Sequence, residues 1–415
     1  MADLILPATE WRNRPGLDSL TAALGADQGL SRFVGGAVRD ALIGAPVADL
    51  DIATILSPEQ VLDRLRDAAI RAVPTGIEHG TITAVLASGP VEVTTLRRDV
   101  STDGRRATVA FTEDWREDAA RRDFTINALY ADPASGRLFD YFGGLDDLAV
   151  RRVRFIGDPI RRIAEDHLRI LRFFRFLARF GDTPDPAGLE ACVARARDLM
   201  ALSRERIRDE LLKLLIARDA VRVVRIMIER GIFEPVLPEI HSATRLATLA
   251  QHEAMVGAAA DPIRRLAALL PQDPTIADTI GARLKLSNAQ RKRLVLAIDA
   301  DGIEAVRGLA YRLGRDTAED RLLLWAPEGT ALFRAWDQLQ NWDIPRLPLT
   351  GGALVARGLA KGPDVARALR SVEAQWIAEG FPGADRVSAL ADAAVDQALR
   401  VPINAKASSP TNGRA

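Results

Sequence analysis

The stretch Gly35-Gly36-Ala37-Val38-Arg39-Asp40, followed after a short loop by Asp49-Leu50-Asp51, places a glycine turn, an arginine and two closely spaced carboxylates within seventeen positions. Nucleotidyl transfer needs these parts: backbone N–H groups for phosphate, a cation for a triphosphate, and a paired-acid seat for a divalent metal. The run 47–55 (VADLDIATI) reads as a strand, and period-two alternation puts Asp49 and Asp51 on one face. Two carboxylates side by side with no cation between them repel each other, and bound Mg²⁺ is the usual way such a pair is stabilised.

Asp-x-Asp alone is a common pattern, so its neighbours carry the argument. Gly35-Gly36 sits between a short strand, 32–34, and a helical stretch, the context in which a glycine turn cradles phosphate. Arg39 falls in the first turn of that helix, within reach of the same phosphate. Glu92, between Val91 and Val93, shares a strand face with Thr94 and could bring a third carboxylate to the pair; an exposed strand acid is the alternative.

A second constellation is 121–129, RRDFTINAL. The planar, permanently charged fork of Arg122 suits a triphosphate. Asp123 and Asn127 are four apart and could face a ribose hydroxyl from one helical side; a capped, salt-bridged helix start is the alternative. A third is 165–176, EDHLRILRFFRF, inside a segment, 151–179, with nine arginines against three acids. Asp166 accepts hydrogen bonds and Arg169 donates them. Set side by side on one helix face they would match the amino donor and ring-nitrogen acceptor of cytosine and adenine, and refuse uracil and guanine, without a template. An ordinary i,i+3 ion pair is the competing reading.

The rest of the chain bounds the setting. Its 415 residues suggest about two to four domains, and 48% hydrophobic content supports real cores. Basic and acidic residues balance at 56 each, so a nucleic-acid partner must be held by local patches. One cysteine, Cys192, excludes a disulfide framework and fits a reducing cytoplasm. The N-terminus lacks signal-peptide order and no window matches a membrane span, so a soluble intracellular protein with no membrane partner is expected. Helix signals cover 17–24 and 58–69, and strands 80–86 and 91–96 flank a turn at 88–90. From Asp158 onward helices dominate, at 160–180, 187–199, 204–217 and 220–229, which gives an α+β chain. Residues 404–415 have little to bury and are expected to be disordered.

Taken in order, GGAVRD with DLD, VEVTTLR, RRDFTINAL, FDYFGGLDDL with RVRFIGDP, and EDHLRILRFFRF resemble the class II tRNA nucleotidyltransferases, the CCA-adding enzymes. The resemblance extends to 99–123, similar to the segment carrying the family's flexible loop, and to SRERIRDELLKLL. It implies a nucleotidyltransferase palm with a small mixed sheet over 1–155, then an all-helical neck (156–218), body (219–340) and tail (341–403) that hold tRNA. It implies Asp49 and Asp51 as Mg²⁺ ligands, and Gly36, Arg39 and Arg122 at the triphosphate of CTP or ATP. Asp166 and Arg169 would then meet the base, with Arg172 and Arg175 completing the pocket. A poly(A) polymerase and a CC-only enzyme share the head motifs, and a non-catalytic RNA-binding module is a further alternative. The neutral charge, short polar tail and intact loop segment favour CCA addition. A Rossmann binder is excluded because Gly35-Gly36 lacks the GxGxxG spacing. None of His79, His167, His241 and His252 forms a His-Asp dipeptide, which argues against an appended HD phosphohydrolase.

Overall fold

A computed structural model describes residues 4–400, apart from 48, 104, 105, 302 and 328. The expected disorder at 404–415 therefore lies outside the described residues. Two compact units are present. The first runs to Ala247 and takes in Ala260–Pro271 and Ile276–Arg291; the second holds Thr248–Ala259, Gln272–Thr275 and the chain from Lys292.

In the first unit, helix α1 (Leu17–Ala23) leads to strand β1 (Ser31–Val34), helix α2 (Gly36–Leu42), β2 (Asp51–Thr54), α3 (Pro58–Asp67), β3 (Arg71–Gly76), β4 (Thr81–Leu86) and β5 (Gly89–Thr95). A hairpin of β6 (Arg97–Asp103) and β7 (Arg106–Phe111) follows, then α4 (Trp115–Ala120), β8 (Leu129–Ala131), β9 (Leu138–Asp140), α5 (Gly144–Ala149) and β10 (Arg152–Val153). Seven strands form one mixed sheet in the order β3-β4-β5-β2-β1-β8-β9, in which only the β2–β5 pairing is parallel.

Alternation sorts the side chains of this sheet. Ile52, Ile82, Val91 and Val93 point to one face and are buried with Leu17, Leu20, Leu24, Val38, Val61 and Leu65 from the three helices. On the opposite face Ala53 packs with Val34, Leu96, Ala119, Tyr130 and Ile156, but beyond that cluster the face lies open at Asp51 and Glu92. Helix α3 starts with a capping box: Ser57 accepts from the Gln60 N–H while the Gln60 side chain accepts from the Ser57 N–H.

The structure shortens one expected strand and splits one expected helix. Of the expected run 47–55, strand β2 takes Asp51–Thr54, so Asp49 lies before the strand. The reason is the partner: β1 pairs Phe33 with Ile52 and then, past Val34, turns away at Gly35. The expected helix 160–180 is two helices, α6 (Pro159–Glu165) and α7 (Arg169–Phe180). Asp166 is extended (φ −150°, ψ 106°), and its carboxylate accepts from the Leu168 N–H, a local bond that competes with the helix ladder. After the two-residue β11 (Thr183–Pro184), which pairs with β10, come α8 (Pro186–Ala194), α9 (Arg204–Leu215) and α10 (Ala220–Glu229). Strand β3, the β6–β7 hairpin and the short strands β8 and β9 went unread in the sequence.

Aromatic rings join the sheet to α7. Phe124 lies 4.9 Å from Phe155 and 5.2 Å from Phe176 between centroids, and Phe155 stacks on Phe173 at 5.6 Å. The second unit is helical; Trp376, Phe381 and Tyr311 pack together in it, and the Tyr311 hydroxyl donates to Glu373. No helix among the described residues is long and apolar enough to cross a membrane. Because Phe173 is fully buried at the centre of the ring cluster, Phe173→Ala should destabilise the first unit by about 3–5 kcal/mol, read as a lowered midpoint in urea unfolding.

Candidate active site

The sheet register builds the centre of the site. Parallel pairing sets Asp51 opposite Glu92, and opposite residues on adjacent strands project from the same face. The third carboxylate is thus placed beside the pair by backbone hydrogen bonds, one of them from the Glu92 N–H to the Leu50 carbonyl (3.1 Å). Burial, together with the charges of Glu92 and Asp49, pushes the Asp51 carboxyl up to about 6 against the pull of Arg122. Burial is the larger cause of this rise and the neighbouring carboxylates the next. The donors are all oxygens, as a hard divalent cation requires. Among the described residues no three His, Cys, Asp or Glu side chains form a metal cage by themselves, but an ion of the Mg²⁺ type needs only one or two carboxylates with substrate phosphates and water. The residues present fit such an ion.

Gly35 makes the turn between β1 and α2 in a backbone conformation (φ 69°, ψ −119°) that side-chain-bearing residues rarely adopt. Its N–H donates to the Leu129 carbonyl, and a Cβ there would stand 3.5 Å from Arg122 Nη1 and 3.6 Å from the Asn127 carbonyl oxygen. Gly36 opens the helix, and space at its Cβ position is bounded by the Arg39 guanidinium.

Arg122 borders this turn and is itself anchored. Its Nη2 donates to Asp118 Oδ2 (3.0 Å) and its Nε to the Tyr130 hydroxyl (3.2 Å), which in turn donates to Asp118 (2.7 Å). Arg121 donates to the other Asp118 oxygen. Asp118 is buried, and burial alone would raise its pKa, but Arg122, Arg121 and the Tyr130 hydroxyl outweigh it and hold the carboxyl at about 2. Sequence reasoning missed Asp118 and Tyr130; the spacing of Asp118 three and four residues before the arginines was the available signal.

Several expected nucleotide contacts are bound within the protein instead. Arg39 is buried, donates from Nε to Asp40 (2.8 Å) and from Nη1 to Asn127 Oδ1, and lies 4.1 Å over the Phe180 ring. Burial and these partners keep its fork inside the protein. Asp123 and Asn127 do meet, Nδ2 to Oδ1 at 2.9 Å, but not on one helix: a 3₁₀ turn, Thr125–Asn127, separates α4 from β8. Both side chains point inward, and Asp123 accepts from Arg172 Nε (2.8 Å) and Nη2 (2.5 Å). Burial opposes the charge of Asp123, yet Arg172 and Asn127 hold its pKa below the carboxylate range. Arg175 donates to buried Glu210 of α9 (2.5 Å) and lies 4.5 Å over Phe176.

Asp166 and Arg169 do not stand as a pair on one helix face, because the helix is interrupted between Glu165 and Arg169. Asp166 accepts from Arg206 Nη2 of α9 through both oxygens (3.0 and 2.9 Å). Arg169 donates to Glu165 (2.5 Å), to the Arg162 carbonyl (2.7 Å) and to the Arg121 carbonyl (3.2 Å). Neither the ready-made base reader nor the i,i+3 ion pair is present. Arg206 and Glu165 were not singled out, although Arg206 lies in the quoted run SRERIRDELLKLL.

The low pKa of Asp118 has a consequence for stability. A carboxyl held lower when folded stabilises above its unfolded pKa, and that stabilisation is lost as pH falls through the folded value. Asp118→Asn should therefore lower the unfolding free energy by about 2 kcal/mol at neutral pH. The gap to the parent protein should close between about pH 4 and about pH 2, as followed by urea unfolding across that range.

Residues 31–154 match the Poly A polymerase head domain, and 183–244 the "probable RNA and SrmB- binding site of polymerase A". The chain is 35% identical over 385 residues to the human CCA tRNA nucleotidyltransferase 1, mitochondrial, covering 88% of this chain and 87% of the relative. It is 32% identical over 358 residues to the CCA-adding enzyme of Limosilactobacillus fermentum, covering 83% and 88%. The fold matches a crystal structure of the Bacillus stearothermophilus CCA-adding enzyme in complex with CTP, with a TM-score of 0.70 at 24% identity over 91% of this chain and 96% of that one. With such identity over nearly its whole length, and with the head-domain match spanning the sheet that carries Asp51 and Glu92, the chain belongs to the family of CCA tRNA nucleotidyltransferases.

Proposed function

We propose that this chain adds C, C and A to the 3′ end of tRNA, taking CTP and ATP at one site without a template. The observation that carries this reading is the in-register row of Asp51 and Glu92, with Asp49 acting on the same carboxyl and the Gly35–Arg122 corner beside it. The activity in the names of its relatives supports it.

The tRNA 3′-hydroxyl oxygen attacks the α-phosphorus and its proton passes to solvent; the new P–O ester forms as the bond to the bridging oxygen breaks and pyrophosphate leaves. A divalent ion, Mg²⁺ in this proposal, would be held by Asp49 and Asp51 and supplies the charge that lowers the hydroxyl's pKa and offsets the phosphates. Glu92 completes the carboxylate set. The Gly36 N–H, at the turn that Gly35 makes with its own N–H held by the Leu129 carbonyl, faces the triphosphate, and Arg122, fixed by Asp118 and Tyr130, presents its outer edge to it. No side-chain nucleophile takes part. Arg39, Asp123, Asn127, Arg172 and Arg175 act chiefly by bracing the wall of the pocket through their mutual bonds. Base choice falls to Asp166 and Arg169, which must exchange Arg206 and Glu165 for the base edge. The division of the helical part into neck (156–218), body (219–340) and tail (341–403), and a cytoplasmic site of action, belong to the same proposal; the single thiol, Cys192, is buried and unpaired.

Purified protein given tRNA transcripts lacking the CCA end should incorporate two C with CTP alone, and one further A only when both nucleotides are present. Addition of A alone in long runs would point to a poly(A) polymerase, and arrest after CC with both nucleotides to a CC-only enzyme. Asp49→Ala with Asp51→Ala should reduce incorporation by at least about a thousandfold, given the several kcal/mol that metal-held charge supplies. Asp166→Ala and Arg169→Ala should relax the choice of C and A over U and G; unchanged selectivity in both variants would remove these residues from base recognition.

A further inference from the structure

The face of the sheet that carries Asp51 and Glu92 does not end with them. Antiparallel pairing continues the row from Glu92 to Thr83 of β4, and from Thr83 to Val73 of β3. A register shift between Val73 and Gly76 brings Thr75 round so that its hydroxyl lies 2.8 Å from that of Thr83. One step along, the adjacent row sets Pro90, Val85 and Arg71 opposite one another. Val85, Pro90 and Arg71 are exposed, and Thr83 is half-buried. The Arg71 guanidinium makes no hydrogen bond or ion pair among the described residues. The opposite face of these strands is the helix-covered core, so this surface is set apart by the fold. Its edge is also closed to another strand: Pro74 interrupts the N–H row of β3 beside the register shift, a common protection of edge strands.

Position says what this surface is for. In the sheet order the glycine turn follows β1 on one side of β2, while β5, β4 and β3 lie on the other. The triphosphate corner and the hydroxyl row therefore flank Asp51 from opposite directions. In phosphoryl transfer the attacking and leaving oxygens stand roughly in line on opposite sides of the phosphorus. With pyrophosphate leaving toward the Gly35–Arg122 corner, the acceptor hydroxyl must arrive from the β5–β4–β3 side. Strands are about 4.8 Å apart, so Thr83 lies one strand beyond Glu92, about where the ribose and phosphate preceding the terminal nucleotide fall.

We propose that the open face of β3–β5, through the hydroxyls of Thr83 and Thr75 and the guanidinium of Arg71, is the track that binds the sugar–phosphate backbone of the RNA 3′ end. This rests on the nucleotidyl-transfer reading of Asp49, Asp51 and Glu92. The chemistry suits a backbone rather than bases: neutral hydroxyls serve phosphate oxygens and 2′-hydroxyls, one cation serves a phosphate, and none of these groups reads sequence. A track indifferent to sequence is what an enzyme acting on many tRNAs, and on ends that grow between steps, requires.

The test uses the full chain with Thr75→Val and Thr83→Val together, since valine keeps the shape and strand preference and removes only the hydroxyls. Thermal unfolding should match the parent. Binding of a fluorescent RNA minihelix lacking CCA, read by anisotropy, should weaken about tenfold, as the loss of two hydrogen bonds predicts. The KM for that RNA should rise in step while the KM for CTP stays put. Thr83→Ser, which restores a hydroxyl, should recover part of the loss. Arg71→Gln, at an exposed edge and without bearing on the core, should reduce the slope of log affinity against log salt by roughly 0.7, one single-strand phosphate contact. Unchanged RNA affinity in both variants overturns the proposal, as does a rise confined to the KM for CTP. If the parent protein binds the minihelix but transfers no nucleotide, the function proposed above fails, and the anisotropy comparison still decides whether this face holds RNA.

Discussion

The structure turns on one pairing: β2 runs parallel to β5, and this register sets Asp51 against Glu92. Nothing in the side chains favours that neighbourhood, since two carboxylates repel and burial raises the cost. The sheet imposes it because Ile52 and Val93, in register one residue on, are both fully buried on the other face. A slip of one residue would expose them and bury the acids. The hydrophobic core therefore holds the charges together, and burial with the neighbouring carboxylates raises the pKa of Asp51.

Around this centre, arginines act as braces more than as free cations. Asp118 ties Arg121, Arg122 and Tyr130 together. A second chain of bonds runs from Arg179 through Asp40, Arg39, Asn127, Asp123 and Arg172, linking α7 to α2 and to the turn before β8. Arg175 and Glu210 carry it on to α9. Every carboxylate in this chain has an arginine, which is the condition for charges to be tolerated at such depth. The arrangement explains how an arginine-rich segment sits in a protein with no net charge: the arginines of 151–179 are gathered locally, and several of their acidic partners, Asp40, Asp123, Asp147 and Glu210, come from elsewhere in the sequence.

Much of the fold was legible. The helical periods of α1 and α3 and the β-branched runs of β4 and β5 each carry a local pattern that the tertiary structure keeps. What was not legible lacked such a pattern. Strand β3 has mostly exposed residues and a proline, so no alternation marks it. Strands β8 and β9 have three residues each, too short for a period to register, and they exist because β1 offers an edge. The break at Asp166 was hidden under an unbroken helical period, because a single side-chain bond decided it.

For the site, the sequence by itself determined the chemistry: which acids, which glycine turn and which arginines are available, and through GGAVRD, DLD, RRDFTINAL and EDHLRILRFFRF the family. Those are properties of residue type and short spacing, and they survive without coordinates. Only the tertiary structure decided the partners. It brought Glu92, forty-one residues away, to Asp51; it gave Asp166 to Arg206 and Arg169 to Glu165 rather than to each other; and it turned Arg39 and Asp123 inward. Long side chains choose among partners by distance and burial, and those are set by sheet register and helix packing between segments remote in the chain, which no local spacing encodes.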